Sequence, residues 1–103
     1  MKNEAAMLEM ALSNWVINLI AKKGYEAMTT PDIARQHVVE ACGFQPRDDS
    51  SQVYHLTGGN DCLIGTSEIP MVGMYANELI DRNNLTHKMV AFSHCFRAEA
   101  GKG

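Results

Sequence analysis

Apolar residues at Leu8, Leu12, Trp15 and Leu19 recur at helical spacing, and Met7, Ala11, Val16 and Ile20 widen the stripe. The pattern predicts an amphipathic helix over residues 4–22. Asn14, Asn18 and Lys22 lie off the stripe. Lys22 and Lys23 suit the negative end of the helix, and Gly24 is a natural stop. A stripe this broad implies packing on two neighbours or on another subunit. Tyr25 to Thr29 follows as a short strand. Thr30 reads as an N-cap and Pro31 as a first helical residue, so a second helix is expected from there to about Ala41, ended by Gly43. Residues 45–50 carry loop chemistry. Gln52 to Leu56 and Asp61 to Gly65 read as strands around a Thr57-Gly58-Gly59-Asn60 turn. A third helix is expected over residues 68–80, with Val72, Tyr75, Ala76, Leu79 and Ile80 on one face, and Lys88 to Glu99 reads as the last strand. This order predicts an α+β fold, an antiparallel sheet with flanking helices.

Length and charge narrow the function classes. At 103 residues the chain makes at most one domain, 1–103. Its net charge of −3 argues against a stand-alone nucleic-acid binder, which needs a basic face. Aromatics at 7% are too few for a base-stacking platform. No apolar run approaches a spanning length and the start lacks the pattern of a signal peptide, so no membrane partner is expected. The cysteines, Cys42, Cys62 and Cys95, are odd in number and widely spaced, which favours free thiols in a reducing compartment. Neither they nor His37, His55, His87 and His94 stand at metal-ligand spacing, so no metal site is expected.

Two constellations carry candidate chemistry. Along the last expected strand, Val90, Phe92, His94 and Phe96 share one face, which should cover the helices. Ala91, Ser93, Cys95, Arg97 and Glu99 share the other. Small residues leading to an Arg–Glu pair form a plausible ligand cradle, since a fixed guanidinium can clamp a phosphate or carboxylate. The blander reading is a solvated pair at a strand end. The second constellation is Gly65-Thr66-Ser67-Glu68, where a glycine turns the chain and hydroxyls open a helix. Thr66 or Ser67 is either a helix cap or, with Glu68, part of a loop suited to a ligand ammonium. His94 and Cys95 are adjacent, face opposite ways in a strand, and so cannot form a nucleophile–base couple.

These segments resemble the seryl-tRNA synthetase family of class II aminoacyl-tRNA synthetases. Lys2-Asn3-Glu4-Ala5-Ala6 with Leu8 to Leu12 is similar to the start of the long motif 1 helix, and Gly24-Tyr25 through Thr30-Pro31 to the motif 1 strand. Cys42-Gly43-Phe44-Gln45-Pro46 resembles the segment after the next helix. Thr66-Ser67-Glu68 resembles the Thr-x-Glu loop, and Cys95-Phe96-Arg97-Ala98-Glu99-Ala100-Gly101 resembles motif 2. Their order and spacing together carry the likeness.

The resemblance implies the N-terminal part of a catalytic core, from motif 1 to the start of motif 2. The tRNA-binding coiled-coil arm and the C-terminal part of the core fall outside the chain. It implies that Thr66, Ser67 and Glu68 bind L-serine through its ammonium. Arg97 would be the catalytic residue on the ATP α-phosphate, and Ala98 and Glu99 would help hold ATP. Implied too are Mg²⁺, tRNA(Ser) as acceptor, a homodimer through the motif 1 helix and strand, and a cytoplasmic or organellar setting, with a lean to organellar. The chain alone is expected to be inactive. The alternatives are a synthetase for another amino acid, prolyl above all, and a non-catalytic dimerisation module.

Overall fold

The computed structural model describes residues 1–44 and 52–99, so the loop expected at 45–50 and the resemblance at Gln45, Pro46, Ala100 and Gly101 lie outside the described residues. The chain divides into two compact units: Met1–Thr29 with Ile80–Phe92, and Thr30–Leu79 with the described residues from Ser93 on.

In the first unit, helix α1 spans Asn3–Ala21 and strand β1 Glu26–Thr29, close to expectation. Gly24 adopts φ +86, the left-handed turn that ends helices and favours glycine. A short 3-10 turn at Arg82–Asn84 is capped by Asp81, whose carboxylate accepts from Asn83 N at 2.8 Å. Strand β4, Met89–Phe92, then pairs with β1 in parallel, Glu26 opposite Met89 and Thr29 opposite Phe92. This corrects the expected all-antiparallel sheet. Parallel partners need a long crossover, and no local turn signal announces one.

Helix α1 packs on β1 and β4. The side chains it half-buries are Ala6, Ser13, Ile17 and Ile20, whereas Leu8, Leu12 and Trp15 at the centre of the stripe are 70%, 57% and 61% exposed. Of the half-buried side chains, Ile20 alone belongs to the expected stripe; the packed face lies to one side of it, through Ile17, and the stripe's centre is left open. Among the described residues no side chain of this unit is fully buried.

The second unit holds the core. Strand β2, Ile33–Arg35, and strand β3, Asp61–Leu63, pair antiparallel, with Ala34 opposite Cys62. The expected hairpin is present as backbone pairing: Leu56 N donates to Asp61 O and Leu63 N to Tyr54 O, both at 2.9 Å, around a turn in which Gly58 takes φ +87. Of its first arm only His55 makes a bridge, to Cys62. The second helix does not start at Thr30-Pro31. The chain stays extended through Arg35, and α2 is Gln36–Ala41. Pairing of Ile33–Arg35 with β3 outweighs the helix-start signals, and the buried Thr30 hydroxyl has no partner among the described residues instead of capping.

Helix α3 is shorter than expected, Glu68–Gly73, followed by hydrogen-bonded turns to Asn77 at φ +61. Its buried residue is Ile69, and Gly73 lies so close to Val38 that an added Cβ would sit 2.7 Å from its Cγ1. The expected apolar face is not the packed one: Val72 is 51% and Leu79 103% exposed. Val39, Cys62, Ile64 and Ile69 form the buried cluster, flanked by Ala34, Val38, Cys42, Phe44 and Val53. Each fully buried aliphatic side chain contributes about 1.5–3 kcal/mol.

The strand expected over Lys88 to Glu99 ends at Phe92. Residues 93–99 continue without a ladder, and the alternation breaks where His94 and Cys95 are both exposed. Phe92 and His94 therefore do not cover helices as expected; Val90 and Phe96 are half-buried.

Candidate functional site

Ile64 anchors the site. Its N–H donates to Asp32 O and its carbonyl accepts from Phe96 N, both at 2.9 Å. One fully buried residue thus holds the chain that leads to Thr66 and the segment that leads to Arg97. Gly65 follows, and the Nε of Arg97 donates to its carbonyl at 3.0 Å. The two constellations found in the sequence, far apart in the chain, are joined by that bond.

Thr66 and Ser67 are half-buried and Glu68 is exposed at the head of α3. Ser67 occupies the N-cap position but its side chain makes no capping bond, and its backbone is already helical at φ −63, ψ −22. The capping reading therefore fails for Ser67. On the other side, the Arg97 guanidinium carbon lies 5.7 Å from the centroid of the Phe44 ring. With Nε committed to Gly65, its Nη groups remain for a ligand anion. Ala98 N donates to Gln52 O at 3.0 Å, which leaves its carbonyl for a ligand; Glu99 is exposed beyond it.

Three contacts have no signal in residue spacing. Phe44 enters the sequence reading only within a resembling segment and Gly65 only as a turn, and neither points to Arg97. His94 was placed on a covering face, yet its Nδ1 lies 3.1 Å from both carboxylate oxygens of Asp32, with side chains 70% and 44% exposed. A contact this open to solvent contributes little to stability. It ties the segment before Arg97 to the start of β2.

Two of the three thiols are unreactive in this setting. Burial, and after it the Glu68 carboxylate, push the Cys42 thiol up; burial, then Asp61 and Glu40, push up that of Cys62. Both are held in the protonated, poorly nucleophilic form. Among the described residues no cluster of three or more His, Cys, Asp or Glu side chains is placed to hold a metal ion. Among the described residues no helix is long and apolar enough to cross a membrane.

No family model matches the chain. It is 48% identical over 101 residues to a serine–tRNA ligase of Borrelia garinii subsp. bavariensis, and 43% identical over 101 residues to that of Treponema denticola. In each case the match covers 98% of this chain and 24% of the relative, so the chain spans about a quarter of the length of these proteins. Its fold is similar to a seryl-tRNA synthetase from Pyrococcus horikoshii solved with ATP, with TM-score 0.85 and 33% identity over 99% of this chain and 23% of that one. A cytoplasmic serine–tRNA ligase from Naegleria fowleri, solved with AMP, gives TM-score 0.82 and 30% identity over 94% of this chain and 23% of that one.

Proposed function

We propose that this chain is part of the catalytic domain of a serine–tRNA ligase, and that its second unit carries one wall of the serine-activation site. The observation that carries the reading is the Arg97–Gly65 bond, which brings an anion-binding guanidinium against the Thr66–Glu68 loop. Thr66 and Glu68, with Ser67 beside them, hold the α-ammonium of serine. The Nη groups of Arg97 hold the ATP α-phosphate, and the Ala98 carbonyl and Glu99 position the nucleotide.

A carboxylate oxygen of serine then attacks the α-phosphorus. The bond to the bridging oxygen breaks, pyrophosphate leaves, and seryl-adenylate remains. In the second step a hydroxyl at the 3′ end of tRNA attacks the seryl carbonyl and releases AMP. Catalysis by these residues is alignment and charge stabilisation, with no covalent enzyme intermediate. Mg²⁺ bound to the ATP phosphates would supply further charge neutralisation beside Arg97. The test is ATP–pyrophosphate exchange by the full-length protein. Exchange that depends on serine supports the reading; exchange that depends on proline, or none with either, contradicts it.

We also read the open centre of the α1 stripe as a self-association surface. Met7, Leu8, Leu12 and Trp15 form a contiguous exposed apolar patch on one helix face, the kind of surface that marks an interaction site. A two-fold interface would cover that face in both copies at once. Trp15→Glu is expected to shift the full-length protein from dimer to monomer in sedimentation velocity at micromolar concentration. An unchanged dimer would place the interface elsewhere.

A further inference from the structure

We propose that Phe44 is the positioning residue for Arg97, a ring-and-carbonyl seat that aims the guanidinium at its phosphate; this rests on the role given to Arg97 above. Arg97 is exposed, and a long side chain in solvent samples many rotamers. Two contacts restrict it. The Gly65 carbonyl takes its Nε at 3.0 Å, and the Phe44 ring lies beneath its guanidinium carbon at 5.7 Å. A hydrogen bond alone leaves the planar group free to swing about the bond. A ring face adds the second constraint and attracts the cation. Together they restrict the rotation of the guanidinium.

The seat is itself rigid. Phe44 packs against the buried cluster, and its N–H donates to the carbonyl of Val39, which is 1% exposed, at 3.3 Å. Gly43, at φ +87, turns the chain back after α2 so that the ring can reach Arg97. Gly65 lets the three groups close up. A Cβ there would lie 3.3 Å from Phe44 Cε1, 3.6 Å from Phe96 O and 3.7 Å from Arg97 Cγ. The ring, the carbonyl and the aliphatic stem of Arg97 therefore meet at a residue with no side chain.

The experiment compares Phe44→Leu, Phe44→Tyr and Arg97→Ala in the full-length protein by ATP–pyrophosphate exchange and thermal melting. Phe44→Leu keeps an apolar filler but loses the ring face. It is expected to lower kcat/KM for ATP about fivefold, with KM for serine and the melting temperature little changed. Phe44→Tyr, which keeps the face, should restore kcat/KM for ATP to near the wild-type value. Three results overturn the seat. In the first, Phe44→Leu leaves kcat/KM for ATP unchanged while Arg97→Ala abolishes exchange. In the second, Phe44→Leu and Phe44→Tyr lose activity toward both substrates in step with melting temperature, which marks a packing role only. In the third, Arg97→Ala itself leaves exchange intact, and the functional reading of the site falls with the seat.

Discussion

Arg97→Lys in the full-length protein is expected to cut serine-dependent ATP–pyrophosphate exchange by about 100-fold while leaving the melting temperature nearly unchanged. Two properties of the site separate activity from folding. Arg97 is exposed and its side chain fills no part of the buried cluster, so folding loses little. Its proposed chemistry depends on a planar fork with one N–H committed to Gly65 and the others left for the phosphate. An ammonium group satisfies either the carbonyl or the phosphate in one geometry, and lacks the flat face that stacks on Phe44. Exchange within tenfold of wild type, measured at saturating serine, would remove Arg97 from the catalytic role.

Ile64→Ala is expected to lose stability along with activity, with a loss of about 3 kcal/mol in urea unfolding. Ile64 is 0% exposed and sits in a cluster with three other fully buried members among the described residues. So small a core has little scope to collapse around the cavity. The same residue holds Asp32 and Phe96 through its own N–H and carbonyl. Loosening it releases the Thr66 loop and the Arg97 segment together, so activity and stability should fall in step. A change below about 1 kcal/mol would show that the surrounding side chains refill the site.

How much of this was legible in the sequence depends on how far apart the interacting residues lie. Helix α1, β1, the Thr57–Asn60 turn and the glycine stops follow from local spacing and conformational preference, and they stand within a residue or two of expectation. Thr30-Pro31-Asp32 misled because a good helix start lost to an antiparallel partner some thirty residues away, a competition no window of sequence contains. The end of α3 was overestimated because apolar spacing continued through Leu79 and Ile80, whereas the packed contact is between Gly73 and Val38. For the site, the sequence supplied Thr66, Ser67, Glu68, Arg97, Ala98 and Glu99 as candidates. It was silent on the contacts that shape Arg97, because a backbone carbonyl and a ring reached through the fold leave no pattern in the chain.

The parallel pairing of β1 with β4 also governs the order in which the molecule can assemble. The first unit is interrupted by almost the whole of the second, so its two strands cannot meet until residues 30–79 have been made and drawn together. Closing so long a loop before any buried contact stabilises it is slow, whereas β2, β3 and the turn between them close over shorter distances. On the ribosome, α1 and β1 therefore emerge before their partner strand β4 and settle after β2 and β3 have paired. During that interval they present an uncovered apolar face and an unpaired strand edge, the kind of surface that chaperones hold and that aggregates when they do not.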